Sequence, residues 1–350
     1  MKKKIGIIIA GIILVLAIGG ISWFVWGISP TSNEEVAVVF DVNGGSSKLV
    51  IIDNLKKAGL IRSELAAKIY MFFNSDLNLQ AGTYNISKNA SLKDILHKMD
   101  KGDVFIDTAK VTLIEGKRLT SYVTTLSKAL DIAEKDFYDI MSSSAFLDEL
   151  LNTYWFINSD IKHNMLYYPL EGYLFPATYE FAKNMNAREV ILTILNHTNK
   201  MLTPLKDSIE ASNYSVHEIL AMAAIIELEA VTESDRKMVS QVVYKRLSIG
   251  MSLGMDVTTY YAARKDMSEE LTGSELRMIN PYNTRDLSGA MNGKLPVGPI
   301  CNPSLMSIQA ALTPSDTDYL YFFADVKTGK VYFSRTNEEQ LQVIQDLKNR

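Results

Sequence analysis

Cysteine and histidine are scarce in this chain of 350 residues. The single cysteine, Cys301, excludes an intramolecular disulfide, so the fold must depend on its hydrophobic core. The four histidines do not pair at i, i+4, and no H-E-x-x-H or C-x-x-C segment occurs. The sequence therefore argues against a zinc site and a Cys-His nucleophile, and it predicts neither a metal nor a cofactor.

Nucleotide-binding and serine-hydrolase motifs are also missing. There is no G-x-x-x-x-G-K-[ST] loop, no G-x-G-x-x-G after a predicted strand and no G-x-S-x-G elbow. Hydrophobic content of 47% and a net charge of −4 describe a globular chain and argue against nucleic acid as a partner. What remains is carboxylate chemistry in a cleft lined by tyrosine and asparagine, which is what polysaccharide cleavage uses.

Charge is absent over residues 5–28, which follow three lysines within residues 1–4. A run of that length matches the ~20 apolar residues that cross a bilayer, and Trp23, Phe24 and Trp26 suit its far interface. A cleavable signal peptide would have a shorter apolar region and an A-x-A-like site, and neither is seen. We expect a single-pass anchor, with a cytoplasmic N-terminus and the remaining chain outside the cell membrane.

Residues 36–107 have the pattern of a small βα module. Short β-branched runs bounded by glycine predict strands, and apolar residues at helical spacing predict helices. The predicted order is strand, helix, helix, strand, helix, at residues 36–42, 46–58, 63–73, 80–86 and 91–99, with Ser91 and Asp94 as a capping pair at the start of the last helix. A charged stretch at residues 101–107 is the predicted boundary.

Residues 110–350 mix helices with short strands, so the predicted fold class is α+β. Residues 147–164 read as irregular, and the tyrosine-rich residues 167–179 as an ordered loop or short strands. By composition alone, ordinary core is favoured there over a sugar-stacking platform. The predicted strands are 110–114, 319–324 and 331–334, and the predicted helices are 119–130, 133–142, 187–202, 216–228, 233–249 and 304–312.

The helix predicted at residues 216–228 carries a carboxylate on an otherwise apolar face. Ser215 and Glu218 predict a capping box at its start. Glu227 falls at helical spacing from the apolar residues, where burial would raise its pKa and make it a candidate general acid. The alternative is a helix-end Glu paired with an Arg or Lys, and the local pattern favours that alternative.

Five segments together resemble the YceG-like endolytic murein transglycosylases, bacterial inner-membrane enzymes that cut nascent peptidoglycan strands. The resemblance covers nearly the whole chain, and the N-terminal module is similar to the LysM-like domain of that family. The segments are LEGYLFPATY at residues 170–179, AAIIELEA around Glu227, NPYNT at 280–284, LPVGPICNPS at 295–304 and YLYFFAD at 319–325.

The resemblance implies a site and a mechanism. The catalytic acid would be the first Glu of an E-x-E pair, Glu227, while Glu229 points elsewhere, roughly 200° round the helix. Glu227 would protonate the oxygen between N-acetylmuramic acid and N-acetylglucosamine, and then deprotonate the muramyl C6 hydroxyl to leave a 1,6-anhydro end. Implied partners are glycan strands, the membrane and cell-wall synthesis proteins. The implied substrate-lining residues are Glu171, Tyr173, Tyr179, Asp256, Tyr282 and Asn283.

Several positions depart from the family pattern, including residues 255–258, which read Met-Asp-Val-Thr in place of the usual Ser-Asp-Pro-Thr. Ala177 replaces an Asp, and Val331 and Gln340 stand where many members carry histidine. These departures keep open a second interpretation, a non-catalytic peptidoglycan-binding or scaffold protein that retains the fold. A third interpretation, a hydrolase that uses water, needs a second carboxylate roughly 5–9.5 Å from Glu227, and Asp256 and Glu171 are the candidates.

Overall fold

The computed structural model describes residues 2–105, 107–325 and 328–349. The chain divides into two compact units, Met1–Asp107 and Thr108–Arg350. Each unit has its own hydrophobic core and combines helices with short antiparallel strands. The predicted α+β class is therefore confirmed.

The first unit follows the predicted order of elements. Ser63 caps the helix that leads to Phe73, and Ser91 forms the predicted capping box with Asp94. The boundaries lie within two residues of the predicted ones. The elements are α1 (Lys2–Ile28), β1 (Ala37–Val42), α2 (Lys48–Lys57), α3 (Glu64–Phe73), β2 (Gly82–Ser87) and α4 (Leu92–Asp100).

Helix α1 is long and apolar enough to cross a membrane. Its segment Ile7–Ile28 has a mean hydropathy of 2.6, and no other helix in the described ranges meets the same length and hydropathy criteria. The end of α1 packs closely on α3, because a Cβ at Gly27 would lie 2.7 Å from the Cβ of Ala66. Only glycine allows this approach, so α3 is fixed against the last turn of the apolar helix.

The second unit contains the remaining helices, a two-stranded sheet and a hairpin. Strand β3 pairs antiparallel with β4, and β5 pairs with β6. The elements are β3 (Thr108–Thr112), α5 (Leu119–Leu130), α6 (Glu134–Ser142), α7 (Ser144–Thr153), β4 (Thr178–Ala182), α8 (Ala187–Leu202), α9 (Lys206–Glu210), α10 (Val216–Glu229), α11 (Glu233–Ser248), α12 (Asp256–Ala262), α13 (Gly273–Leu276), α14 (Leu305–Leu312), β5 (Tyr321–Asp325), β6 (Lys330–Ser334) and α15 (Asn337–Lys348).

Helix α10 is the central helix of this unit. Its residues from Ile219 to Ile226 are all buried, and it packs against α11, α12 and α14. Ser215 and Glu218 form the predicted capping box at its start. Because residues 219–226 are apolar on every side, the next carboxylates of α10 after Glu218 are Glu227 and Glu229 at its C-terminal end.

Several segments differ from the sequence prediction, and α9, α13 and α15 are helices that the sequence did not indicate. Residues 147–164 are not wholly irregular, because α7 continues to Thr153 with a Ser143 cap and Leu150 in the core. Residues 256–262 form the helix α12, whereas no helix was predicted there and the sequence indicated only the approach to a polar segment. Both helices are short and are held by tertiary packing, which local periodicity does not report.

Candidate active site

The two glutamates at the end of α10 point to different sides. Glu227 faces Arg236 of α11 and Ser304, which caps α14. Glu229 faces a charged group made of Asp256, Arg246 and Arg285. The angle of roughly 200° between positions two residues apart on a helix explains the divergence.

Glu227 is enclosed by hydrogen-bond donors. Arg236 donates from Nη1 to Oε2 at 2.8 Å and from Nη2 to Oε1 at 3.1 Å, which makes a bidentate ion pair. Ser304 donates to Oε2 from its amide at 2.8 Å and from its hydroxyl at 2.5 Å. The Glu227 side chain is only 4% exposed, so its carboxylate is occupied by these partners.

The expectation of a raised pKa for Glu227 is wrong. Burial alone would raise this pKa, but the hydrogen bonds from Arg236 and Ser304 and the charge of Arg236 outweigh burial. The net effect holds the pKa of Glu227 below its usual value of 4.5. The alternative considered from the sequence, a glutamate near the helix end paired with an Arg or Lys, is the arrangement observed for Glu227 and Arg236.

Glu229 has the opposite environment. Its side chain is partly buried, and among the described residues none donates a hydrogen bond to its carboxylate. Burial raises the pKa of Glu229 to about 7, and the negative charge of Asp256 adds to the increase. The charges of Arg246 and Arg285 oppose it without cancelling it. A carboxylic acid that titrates near neutral pH can both donate and accept a proton there.

The charged groups around Glu229 are held in fixed positions. Asp256 accepts a hydrogen bond from Arg285 Nη1 at 2.5 Å, and both side chains remain accessible to solvent. Arg246 donates to the carbonyls of Leu253 and Leu320, so its guanidinium is anchored on the protein side. The charged groups that act on the Glu229 carboxylate are therefore the accessible Asp256–Arg285 ion pair and the anchored guanidinium of Arg246.

The NPYNT segment holds the start of α12. The carbonyl of Thr284 accepts from the Gly254 amide at 3.0 Å, and the Thr284 hydroxyl accepts from the Met255 amide at 3.0 Å. Gly254 has a φ of +60°, which favours glycine. These bonds place Asp256, the first residue of α12, near Glu229.

Glu171 lies in the core and not on a surface. It is 1% exposed and accepts hydrogen bonds from the Leu119 amide at 2.8 Å and the Tyr261 hydroxyl at 3.0 Å. Burial raises its pKa to about 7, although these bonds and the nearby Arg118 act in the other direction. Glu171 therefore caps α5 from a distant segment, a position that does not fit the predicted direct contact with sugar.

Of the other predicted substrate-lining residues, four are buried, as Glu171 is, and one is accessible to solvent. Tyr173, Tyr282 and Asn283 are 0% exposed, and Tyr179 is 6% exposed, so none has a surface to offer a sugar ring. Tyr173 bonds His217, Tyr179 donates to a loop carbonyl, and Asn283 bonds Thr259 and two carbonyls. Of the predicted set, only Asp256 is accessible and lies beside a candidate acid.

Ala177, Val331 and Gln340, which depart from the family pattern, all lie in the second unit. The carbonyl of Ala177 accepts from the Leu113 amide, next to the β3–β4 sheet. Val331 pairs with Ala324 in the hairpin. Gln340 donates to the Phe322 carbonyl at 2.9 Å, while its own Oε1 is buried without a partner in the described part of the chain. Gln340 therefore ties α15 to the hairpin through its amide nitrogen.

Within residues 2–105, 107–325 and 328–349, no group of three or more His, Cys, Asp or Glu side chains is arranged to hold a metal ion. The candidate centre brings together Glu229, whose pKa is about 7, the accessible carboxylate of Asp256 and the guanidinium groups of Arg246 and Arg285. Such a set can transfer protons and bind anionic or hydroxylated ligands.

The α+β fold and the apolar helix α1 agree with the comparisons with known proteins. The YceG-like family model matches residues 40–346, and the chain belongs to this family. A Bacillus subtilis protein named endolytic murein transglycosylase is 33% identical over 330 residues, which cover 93% of this chain and 89% of that protein.

Two further proteins are similar over most of this chain. A Streptococcus pneumoniae protein, also named endolytic murein transglycosylase, is 29% identical over 88% of the chain, which spans 58% of that relative. A crystal structure of a yceG-like protein from Listeria monocytogenes has a TM-score of 0.63, with 33% identity over 89% of this chain and all of that one. The predicted resemblance to the YceG-like family is confirmed.

Sequence reasoning missed the groups that distinguish the two glutamates. Arg236, Arg246 and Arg285 received no role, although Arg285 directly follows the NPYNT segment. A usable signal was the E-x-E spacing, because two carboxylates on opposite sides of a buried helix require separate partners. Only the tertiary contacts assign the arginine and the serine to Glu227.

Proposed function

We propose that this protein is a membrane-anchored endolytic lytic transglycosylase that cleaves peptidoglycan between N-acetylmuramic acid and N-acetylglucosamine. Membership of the YceG-like family and the names of the curated relatives support this class of enzyme. Helix α1 supports attachment to the membrane. The lysines before α1 favour a cytoplasmic N-terminus, which would put both folded units at the side where peptidoglycan is assembled.

The two folded units have separate roles in this proposal. Residues 36–107 form a LysM-like module that holds glycan strands near the membrane, and residues 110–350 carry the chemistry. The module has its own core, built around Ile52, Leu55, Tyr84 and Leu96, which supports an independent binding role. Contacts with cell-wall synthesis proteins would follow from the same location.

The proton donor in this proposal is Glu229, and Glu227 is the ion-paired glutamate that fixes the end of α10. One observation carries the choice: Glu227 accepts four hydrogen bonds from Arg236 and Ser304, whereas Glu229 accepts none from the described residues and has a pKa near 7. A general acid must hold a proton and release it to the substrate near neutral pH. Glu227 would have to lose its partners before it could do either.

The reaction needs one group that acts twice. Protonated Glu229 would donate its proton to the glycosidic oxygen as the bond to the muramyl anomeric carbon breaks. The resulting carboxylate would then accept the proton of the C6 hydroxyl of the same muramyl residue, while that oxygen bonds the anomeric carbon. The products are a 1,6-anhydromuramyl end and a free N-acetylglucosamine hydroxyl, with no water consumed and with Glu229 protonated again.

The surrounding residues would tune and position this acid. Asp256 raises the pKa of Glu229, and its bond with Arg285 limits that effect. We assign Tyr173, Tyr282 and Asn283 to the support of the fold, because they are buried and hydrogen-bonded within the second unit. Sugar contacts would come from accessible groups near Glu229, including Asp256.

A hydrolase that uses water is the second candidate function. The observation in its favour is Asp256, an accessible carboxylate close enough to Glu229 to change its pKa. In this mechanism Asp256 would activate water, and the new ends would be ordinary reducing sugars. The ion pair with Arg285 counts against that role, because it already occupies an oxygen of the Asp256 carboxylate.

The product decides between these functions. Residues 29–350 are incubated with purified glycan strands, and the new ends are identified by mass spectrometry before and after borohydride reduction. A transglycosylase gives anhydro ends that resist reduction, whereas a hydrolase gives reducible ends. Release of no new ends by the unsubstituted protein would instead favour the non-catalytic scaffold interpretation, with Ala177, Val331 and Gln340 as the leading explanation.

The membrane topology has its own test. Protease added to spheroplasts should digest the folded units and leave a short fragment that contains residues 1–28. Protection of the folded units, or a mature protein that begins near Ser29, would contradict the proposed topology.

A further inference from the structure

Helix α3 exposes a row of large apolar side chains to solvent. Leu65, Ile69 and Phe72 fall at i, i+4 and i+7 and thus share one side of the helix, with Phe73 beside them. Leu65 is 59% exposed, Phe72 79% and Phe73 77%. We call these four residues the α3 stripe. The core of the first unit lies on the other side of α3, at Ala67 and Met71, so the α3 stripe contributes nothing to that core.

The α3 stripe lies next to the end of the apolar helix α1. Gly27 packs against Ser63 and Ala66 in the first turn of α3. Arg62 strengthens this junction, because its Nε donates to the Pro30 carbonyl at 2.6 Å and its guanidinium lies 5.5 Å from the centre of the Trp26 ring. The direction of α3 relative to the end of α1 is therefore set by packing and by hydrogen bonds.

The position of α1 indicates what covers the α3 stripe. If α1 crosses a bilayer, its exposed Trp23 and Trp26 lie at the interface between hydrocarbon and headgroups. Helix α3 begins against that turn and, with ten residues, is only about 15 Å long, so all of it stays near the interface. Apolar side chains of interfacial helices enter the headgroup region to about 5–10 Å.

We propose that the α3 stripe inserts into the membrane surface at the end of α1 and holds the first unit against the bilayer. This inference rests on the proposed membrane attachment. The occupant is lipid, because α3 begins against the last turn of α1, beside Trp26 and Arg62, whose side chains suit the headgroup region. Phe72 and Phe73, whose rings meet edge to face at 5.5 Å, form its most exposed part.

The test uses the full chain in vesicles of phosphatidylcholine with a minority of phosphatidylglycerol. A spin label is placed at Leu65→Cys or, as the matched control, at Val39→Cys, which is also 59% exposed but lies on β1. The native Cys301 is buried, and an unsubstituted chain measures its background labelling. Collision with dissolved oxygen reports lipid, and collision with a water-soluble nickel chelate reports water.

We expect the label at position 65 to collide severalfold less often with the nickel chelate, and more often with oxygen, than the label at position 39. The label at position 39 should remain in water. Adding Phe72→Ser and Phe73→Ser to the labelled protein should restore access of the nickel chelate to position 65. Circular dichroism checks separately that this variant is folded. Equal nickel access at 65 and 39 in vesicles that float with the protein overturns the proposal. So does shielding that grows with the protein-to-lipid ratio, since a second copy would then cover the α3 stripe. Failure of the chain to float with vesicles would refute membrane attachment itself.

Discussion

The two sides of the end of α10 show how strongly surroundings control a carboxylate. Glu227 and Glu229 have the same side chain and almost the same position in the sequence. On one side, Arg236 and Ser304 stabilise the charged form and hold the pKa of Glu227 below 4.5. On the other, burial and Asp256 favour the neutral form and raise the pKa of Glu229 to about 7. Hydrogen-bond donors therefore separate a structural glutamate from a candidate acid, even though both are removed from water.

The largest expected effect of a substitution is on catalysis at Glu229. Glu229→Gln keeps the size of the side chain but cannot exchange the proton, so the cleavage rate should fall by about 10²–10⁴-fold. Release of new glycan ends, followed by mass spectrometry, measures the rate. Circular dichroism should show an unchanged fold.

Glu227→Gln is the matched control, two residues away on the same helix. It should lose cleavage mainly in proportion to lost stability, because in the proposed mechanism Glu227 holds the end of α10 and does not act on substrate. The two variants are compared at a temperature where both remain folded. If Glu227→Gln abolishes cleavage while folded and Glu229→Gln cleaves at the unsubstituted rate, the assignment must be reversed.

The next effect is on stability, at the Glu227 side. Arg236→Met leaves a buried carboxylate without its cation and should lower the free energy of unfolding by about 3–5 kcal/mol. Replacing both partners, with Glu227→Leu and Arg236→Met, should recover much of that loss because no buried charge remains. Urea denaturation of the three proteins measures the coupling, and additive losses would show that the ion pair is not the cause.

Much of the fold could be predicted from the sequence, because its signals are local. Caps such as Ser91 with Asp94 and Ser215 with Glu218 and apolar periodicity identified α4 and α10. The roles of the two glutamates could not be predicted in this way. Their partners come from α11, the cap of α14, α12 and the NPYNT segment, and only folding brings these together.

The tyrosine-rich segment shows the same limit. Its composition favoured ordinary core, and the structure buries Tyr173 and Tyr179. The resemblance implied sugar contacts for the same residues, because a motif marks a region without stating which side chains reach its surface. A pattern of residue types therefore located the neighbourhood of the candidate site better than it located the contacts.

A smaller effect should appear in the pH dependence of cleavage. Asp256→Asn removes the negative charge that raises the pKa of Glu229, so the alkaline limit of kcat/KM should move to lower pH. Arg285→Gln removes an opposing positive charge and should move the same limit to higher pH. Because Asp256 and Arg285 form an accessible ion pair, neither change should alter stability much. Shifts in the same direction, or no shift, would separate Glu229 from the proton transfer.

The smallest expected effect concerns Glu171, a second glutamate with a pKa near 7 but with no access to substrate. Its folded pKa lies above the value of 4.5 expected when unfolded, so the folded protein binds more protons between about pH 4.5 and 7. The contribution of Glu171 to stability is therefore present below pH 4.5 and is lost as the pH rises through 7. Glu171→Gln can still accept from the Leu119 amide, and its own amide can donate to Tyr261, so the fold should persist. Urea denaturation between pH 5 and 8 should show a shallower decline in the free energy of unfolding for Glu171→Gln, since among the described carboxyl groups only Glu229 would retain a shift of this sign and size. An unchanged slope would mean that Glu171 is charged in the folded protein, and burial would then not be the stronger influence on this carboxylate.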